Sequence, residues 1–182
     1  MSTDFLRAYD ESYERVFSYL VYRAASRSAA EDLTQTTFER AFRAWDRFDP
    51  RRSQPTTWLI AIARNVYLDQ LRADRRTART QAAAIATAEA EPGPERRHEG
   101  DQELAEALAT LGERERSILA LRFGAELQSG QIAEILGLSV ANVHQITSRS
   151  LKRLRDLLQD RPDTDQLPFE RPVPGADPKS SR

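Results

Sequence analysis

Residues 131–158 read QIAEILGLSVANVHQITSRSLKRLRDLL, and this pattern predicts a helix-turn-helix. Apolar residues recur at helical spacing from Ile132 to Leu136, and Gly137 stands where a short helix can end in a left-handed conformation. Ser139 is well placed to cap the next helix. We expect an inward stripe on that second helix, formed by Val143, Ile146, Leu151, Leu154 and Leu158.

The opposite face of the second helix is polar, and its short hydrogen-bonding groups precede its cations. The face comprises Asn142, His144, Gln145, Ser148, Arg149, Lys152, Arg153 and Arg155. This order suits a recognition helix, whose first turns meet base edges in the major groove while later cations reach phosphates. A helical bundle with plain solvated charges is the alternative at this point. We expect no metal site, because the chain has 2 histidines and no cysteine.

Composition limits the class of protein. A chain of 182 residues with 40% hydrophobic and 30% charged residues suits a soluble helical protein of one or two small domains. No apolar run could span a membrane and the first residues lack a signal-peptide layout, so we expect a cytoplasmic location. With a net charge of −1, strong DNA binding would need clustered cations or a partner protein.

The first 45 residues have the pattern of two amphipathic helices. The first is predicted to run to about Ser26, and Ser28 with Glu31 form a predicted capping box for the second. The second helix is expected to bury Leu33, Phe38, Ala41, Phe42 and Trp45. Its mixed charges are as compatible with ordinary exposure as with binding.

Two prolines and several turn-forming residues predict a loop at 48–54 and a third helix from Pro55 to about Arg76. The expected core side of this helix is Leu59, Ile62, Ala63 and Val66. It is also the most cationic stretch of the N-terminal half, with Arg64, Arg72, Arg75, Arg76 and Arg79. Trp58 could pack in the core or stack on an unpaired base.

Changes in composition divide the chain into four parts. Residues 1–76 form a predicted helical domain and residues 77–101, which contain Pro-Gly-Pro, a flexible linker. Residues 102–159 are predicted to form a four-helix domain that includes the helix-turn-helix, with Gly124 ending its second helix. The proline-rich residues 160–182 are expected to be a disordered tail. The predicted fold class is therefore all-α, with two small domains.

Several of these blocks resemble the extracytoplasmic-function group of bacterial RNA polymerase sigma factors. The blocks are AEDLTQTTFERAF at 30–42, FDPRRSQPTTWLIAIARNVYLDQLR at 48–72, LGERERSILALRFG from 111 and QIAEILGLS ending at 139. The resemblance covers about residues 5–158, and the blocks also occur in the family's order. It implies a factor without catalytic activity or cofactor that binds core polymerase and directs it to promoter DNA. It also implies an anti-sigma factor as a common partner, and nothing in the sequence identifies one.

The resemblance implies roles for three groups of residues. The surface that docks on the polymerase would comprise Asp32, Gln35, Phe38, Glu39 and Arg40, although Phe38 suits the core equally well. Recognition and melting of the −10 element would involve Phe48, Arg51, Arg52, Ser53, Gln54, Thr57, Trp58, Arg64, Asn65, Arg72, Arg75 and Arg76. The −35 element would meet Ser139, Ala141, Asn142, His144, Gln145, Ser148, Arg149, Lys152 and Arg153. The acidic linker would thread through a basic channel of the polymerase.

The sequence departs from the family pattern at two places. Many members carry a basic residue where His144 stands and a small-Arg pair near Ser150 and Leu151, so the bases read at −35 do not transfer. The tail after Asp160 exceeds the usual end of the family, and an inert extension is favoured over a docking site for a regulator.

Two other classes of function remain as alternatives. One is a stand-alone helix-turn-helix regulator whose N-terminal domain senses a ligand or dimerises. The other is an enzyme acting on nucleic acid, which is disfavoured because no nucleophile with a base, phosphate-binding glycine loop or metal-ligating carboxylate pair is apparent. A flexible linker would also allow the domains to pack together, hiding DNA-binding faces until the polymerase separates them.

Overall fold

A computed structural model of the chain describes residues 3–84 and 99–159, and within those ranges every regular element is a helix. The N-terminal half contains α1 (Thr3–Val21), α2 (Arg27–Ala44), a short 3₁₀ turn (Trp45–Arg47) and α3 (Pro55–Ala84). The C-terminal half contains α4 (Glu99–Ala109), α5 (Glu113–Leu119), a π-helical turn (Ala120–Gly124), α6 (Ser129–Leu136) and α7 (Val140–Gln159). The predicted all-α fold class is confirmed.

The N-terminal half is a three-helix bundle in which α1 and α2 pack on α3. Its core includes Val16, Leu20, Leu33, Ala41, Leu59 and Val66, which are the apolar positions at helical spacing. Ser12 on α1 shares a hydrogen bond of 2.8 Å with Thr56 at the start of α3, which fixes the approach of these two helices. The first turn of α3 is consequently held against the middle of α1.

Two predicted details at the start of α2 are wrong. Helix α1 ends at Val21 rather than near Ser26, and the cap of α2 is Ser26, whose Oγ accepts a hydrogen bond of 3.1 Å from the amide of Ala29. Glu31 does not complete a capping box with Ser28, because its carboxylate pairs with Arg27 at 3.2 Å. Serines stand at both 26 and 28, and the path of the chain after α1 selects the earlier one.

The predicted buried side of α2 is partly wrong. Leu33, Phe38 and Ala41 are buried, whereas Phe42 is 49% exposed and Trp45 is half-buried beyond the end of the helix. Phe42 still contacts the edge of the Phe5 ring, with 5.2 Å between the ring centroids. Phe5 of α1 thus covers one side of the Phe42 ring, and the other side faces solvent.

Helix α3 is longer than expected, because it continues past Arg76 to Ala84. Residues 82–84 are all alanine, the strongest helix former, which favours continuation of the helix. Helix α4 likewise begins at Glu99. Residues 77–84 and 99–101 of the predicted linker are therefore helical, and the rest of the linker lies outside the described residues, as does the predicted tail at 160–182.

In the C-terminal half, α7 packs against α4, α5 and α6. Its buried positions are Val143, Ser150 and Leu154, with Ile146 half-buried. The predicted inward positions Leu151 and Leu158 are each 37% exposed, so that part of the stripe is wrong. The small Ser150 side chain faces the neighbouring helices, which turns the adjacent Leu151 toward solvent.

The two halves pack on each other through one continuous hydrophobic core. Val16, Tyr19 and Leu20 of α1 belong to the same buried cluster as Ile118, Leu121 and Ile132 of the C-terminal half. All six side chains are fully excluded from solvent. The arrangement with packed domains, which the sequence left open, is therefore the one present in this structure. None of the described helices is both long enough and apolar enough to cross a lipid bilayer.

Candidate nucleic-acid interface

The turn between α6 and α7 has the predicted geometry. Gly137 adopts φ 63° and ψ 40°, the left-handed conformation that only glycine enters without steric cost, and Leu138 donates a hydrogen bond of 2.9 Å to the carbonyl of Ala133. Ser139 Oγ accepts a hydrogen bond of 3.2 Å from the amide of Asn142, so its predicted capping role is confirmed. This turn sets the direction of α7 relative to α6.

The predicted −35 residues share one accessible face of the C-terminal half. Every one of them is exposed: Ser139, Ala141, Asn142, His144, Gln145, Ser148, Arg149, Lys152 and Arg153. Among the described residues, Arg149, Lys152 and Arg153 have no ion-pair partner. Cations without an internal partner can exchange counterions for phosphates, and short polar groups precede them on the helix.

The loop at 48–54 is held by a cluster of three aromatic rings. Trp45 stacks on Phe48 at the start of the loop, with centroids 4.9 Å apart and planes 19° apart. Trp58, one turn into α3, contacts both rings at centroid distances of 5.8 Å and 5.3 Å. Trp45 was predicted as a core residue of α2, and its role in anchoring both ends of the loop was not apparent in the sequence.

The backbone of the loop is shaped by a local turn. The amide of Arg51 donates to the Asp49 carboxylate at 2.9 Å, and the amide of Arg52 donates to the Asp49 carbonyl at 3.0 Å. The side chains of Arg51, Arg52 and Gln54 are exposed, and Ser53 is half-buried. The loop therefore presents two guanidinium groups and one amide on a fixed backbone.

The other predicted −10 residues differ in accessibility. Asn65, Arg72, Arg75 and Arg76 are exposed along α3, Arg64 is half-buried, and Thr57 is buried. Thr57 Oγ1 accepts a hydrogen bond of 2.9 Å from Nε2 of Gln131 on α6. Four residues of this set are thus exposed along α3, whereas Thr57 is covered by the C-terminal half.

The predicted polymerase-docking residues lie on α2. Asp32, Gln35, Glu39 and Arg40 are exposed, with Gln35 donating to Glu39 at 3.1 Å. Phe38 is 7% exposed and contacts Tyr9 at a centroid distance of 4.4 Å. A buried ring cannot dock on another protein without rearrangement, so Phe38 supports this face from beneath.

Asp69 connects the predicted docking face of α2 with the cationic helix α3, and the sequence analysis did not identify it. Its carboxylate accepts from Arg40 of α2 at 2.8 Å and from Arg72 of α3 at 3.1 Å. The hydrogen bond from Arg40 holds the pKa of Asp69 below its usual value, and Arg72 acts in the same direction. Asp69 precedes Arg72 by three residues, and this helical spacing was the sequence signal that could have predicted their ion pair.

Comparisons with known proteins cover both halves of the chain. Residues 8–77 match the Sigma-70 region 2 family, and residues 107–156 match the Sigma-70 region 4 family. The fold and surface therefore define a two-region sigma-70-type factor. The chain is 32% identical over 172 residues to the ECF RNA polymerase sigma factor SigC of Mycobacterium tuberculosis, covering 90% of this chain and 84% of that protein. The chain belongs to the ECF RNA polymerase sigma factors.

Two further comparisons extend this result. The chain is 29% identical over 160 residues to the ECF RNA polymerase sigma factor BldN of Streptomyces coelicolor, covering 86% of this chain but 61% of that protein. A solved structure of the sigma factor RpoE in complex with the anti-sigma factor NepR from Bartonella quintana matches with a TM-score of 0.70. That match has 24% identity and covers 88% of this chain and 100% of that chain, so it supports the fold. The stand-alone regulator is not favoured by these relationships.

Proposed function

We propose that this chain binds core RNA polymerase and directs promoter-specific initiation, with α7 reading the duplex −35 element and the N-terminal half capturing the melted −10 element. The observation that carries the proposal is the presence of two chemically different exposed surfaces on separate halves of the chain. One is an open recognition helix after a tight turn. The other is a cationic loop on an aromatic support, followed by a cationic helix.

For duplex recognition, the first turns of α7 would enter the major groove. Asn142 and Gln145 carry amides that can bond adenine edges in a bidentate manner, and His144 offers a further polar contact. Arg149, Lys152 and Arg153 would contact phosphates and fix the register of the helix.

For the −10 element, the N-terminal half must offset the cost of extracting a base from the stack, which is a few kcal/mol. The Trp45–Phe48–Trp58 cluster gives the loop a rigid apolar support, and Arg51 and Arg52 project from it. Exposed Arg72, Arg75 and Arg76 would follow the backbone of the displaced strand. Asn65 lies on the same helix and adds an amide for a base edge.

Polymerase docking would use Asp32, Gln35, Glu39 and Arg40 on α2. The Arg40–Asp69–Arg72 pairs link this surface to the −10 surface, so docking and DNA capture would share one rigid unit. We also propose a cytoplasmic location, because core polymerase acts there, and regulation by an anti-sigma factor, as for the matched RpoE bound to NepR.

The test of this function is transcription by purified bacterial core polymerase on a pool of genomic fragments, with and without the chain, followed by sequencing of transcript 5′ ends. We expect discrete new starts that share upstream elements. Tight duplex binding by the free chain without new starts or polymerase binding would instead support a stand-alone regulator.

The −10 assignment is tested by changing Arg72 and Arg75 to Glu together. Open-complex formation should fall by at least tenfold while binding to core polymerase is retained, because a phosphate-facing surface has become repulsive. A matched control changes Arg27 and Arg114 to Glu, which alters the net charge equally at two exposed positions outside the predicted DNA surfaces. Loss of polymerase binding in the test variant alone would contradict the assignment.

A further inference from the structure

Asp69 lies between two surfaces that the proposed function assigns to different ligands. Its Oδ2 accepts a hydrogen bond of 2.8 Å from Nη1 of Arg40 on α2, and its Oδ1 accepts one of 3.1 Å from Nη1 of Arg72 on α3. Each carboxylate oxygen therefore binds one guanidinium group. Arg40 lies 29 residues before Asp69, so the packing of α2 on α3 is what brings the three side chains together.

These two ion pairs contribute little to the stability of the bundle. The side chains of Arg40, Asp69 and Arg72 are 47%, 49% and 69% exposed. Ion pairs at such exposure are screened by water and salt, and each must order two flexible side chains. The contact between α2 and α3 is already held by apolar residues, among them the buried Ala41 and Val66. The cluster therefore acts on the direction of its surface groups more than on the packing of its helices.

Asp69 is ionised throughout the neutral pH range. The hydrogen bond from Arg40 holds the pKa of Asp69 below its usual value, and the charges of Arg40 and Arg72 act in the same direction. An ionised carboxylate accepts hydrogen bonds and cannot donate them. The two guanidinium groups therefore keep the same acceptor at any pH near neutrality.

Arg72 is directed by an acid, unlike the two arginines that follow it on α3. Within residues 3–84 and 99–159, Arg75 and Arg76 have no ion-pair partner. Arg72 is bonded to Asp69 through Nη1, and a guanidinium group has five N–H donors, so those on Nε and Nη2 remain for a phosphate. Bonding one edge of this planar group restricts its rotation and so fixes the direction of its other donors.

The charge of Asp69 by itself opposes binding of a DNA strand. A carboxylate beside Arg72 repels the phosphates that Arg72 is proposed to contact, and it cancels part of the local positive charge. Asp69 can favour strand capture only through the direction that it gives to Arg72. Charge and positioning therefore predict opposite results when the carboxylate is replaced by a neutral amide.

We propose that Asp69 is a positioning residue for strand capture, which directs Arg72 toward the displaced strand and ties it, through Arg40, to the helix that docks on the polymerase. Polymerase bound at α2 thereby fixes the place at which Arg72 meets the strand. Asp69 acts through the two arginines and needs no contact of its own with DNA. This inference rests on the proposed function for the identity of both ligands.

The test compares Asp69→Asn with Asp74→Asn. Both substitutions remove one negative charge from an exposed position of α3 and keep the size of the side chain, but the Asp74 carboxylate accepts its hydrogen bond of 2.8 Å from Gln70 of the same helix. Each full chain is assembled with core polymerase on a promoter that the parent chain uses. Affinity for core polymerase, affinity for the closed duplex promoter and the rate of strand opening at saturation are measured separately.

We expect Asp69→Asn to lower the rate of strand opening about fivefold, because a misdirected Arg72 meets the strand in fewer of its orientations. Both affinities and the thermal unfolding temperature should stay close to those of the parent, which a purely structural role of Asp69 would not allow. Asp74→Asn should open DNA at the parent rate or slightly faster. In an Arg72→Ala background, Asp69→Asn should cause no further loss, because Asp69 acts through Arg72.

An unchanged or faster opening rate in Asp69→Asn would overturn the proposal. An equal loss in Asp74→Asn, or a full additional loss in the Arg72→Ala background, would do the same. These outcomes are separable from the proposed function, which fails if the parent chain with core polymerase gives no transcript starts. Normal starts with the parent chain and no effect of Asp69→Asn would reject this inference alone.

Discussion

The two proposed DNA-reading surfaces differ in how their residues are held in place. On α7, all nine predicted −35 residues are exposed, and the helix is aimed by a backbone turn at Gly137 and a cap at Ser139. In the N-terminal half, the loop depends on three packed rings, and Thr57 is covered by α6. The structure thus leaves the proposed duplex-reading surface exposed and covers Thr57 of the proposed single-strand surface.

This difference follows from the physical form of each target. A major groove accepts a preformed helix, so α7 needs only a fixed direction and an open face. A flipped base requires a shaped, partly apolar site, and an apolar site left open invites contact with other surfaces. In this structure the C-terminal half covers Thr57 at the start of α3, while the rings of Trp45, Phe48 and Trp58 pack on one another.

Trp45→Ala should give the largest effect, because it removes the central ring of the loop support. Complete truncation of a buried Trp costs about 3–5 kcal/mol, and this half-buried ring should cost about 2–3 kcal/mol of unfolding free energy. Initiation measured well below the melting temperature should fall at least tenfold, while duplex binding by α7 is retained. Trp45→Phe is the control and should keep most activity. Normal initiation by Trp45→Ala would remove the distinction between the two surfaces.

Gly137→Val should damage the other surface. A β-branched residue at φ 63° should cost about 2 kcal/mol, because its Cβ crowds the following carbonyl oxygen. Thermal unfolding and binding to duplex promoter fragments should both weaken, whereas binding to core polymerase through α2 should persist. Gly137→Asn, which tolerates the left-handed region, should behave nearly as the parent chain. Equal losses in the two variants would show that conformation at 137 is not the cause.

Arg149→Ala combined with Lys152→Ala should weaken binding of the free chain to duplex DNA of any sequence. The slope of log affinity against log salt should decrease in magnitude by about 2, one unit for each lost phosphate contact. Arg114→Ala, an exposed cation on α5, should leave the slope unchanged. A change of base preference without a change of slope would assign these residues to base edges instead.

The folded chain should also lose stability at high pH, through Tyr19 in the core that both halves share. Burial raises the pKa of Tyr19 from 10.0 to about 12, against the opposing effect of Arg23 and Arg64. The neutral phenol is therefore favoured in the folded chain, so its contribution is fully present below pH 10 and is lost as pH rises toward 12. Denaturant midpoints measured from pH 9 to 11 should fall, and Tyr19→Phe should reduce that dependence. The exposed Tyr22→Phe is the control.

The order of helices and the helix-turn-helix were predictable because their signals are local. Gly137 adopts a left-handed conformation that few residue types other than glycine tolerate, and Ser139 bonds an amide three residues away. The family resemblance added the distinction between docking, −10 and −35 residues, and those assignments are proposals here. The wrong details include the cap at Ser28 and the burial of Leu151. In each case a residue one or two positions away fits the local pattern about as well.

The sequence by itself determined the helical fold, the turn at Gly137 and the polar order along α7, because each depends on residues within one or two helical turns. Tertiary structure alone decided that Thr57 meets Gln131, 74 residues later, and that Arg15 bonds carbonyls 110 and 111 residues away. It also decided that Gly124 is packed against α1 rather than acting merely as a helix end. Such contacts depend on how two folded halves approach, and no local pattern encodes that approach.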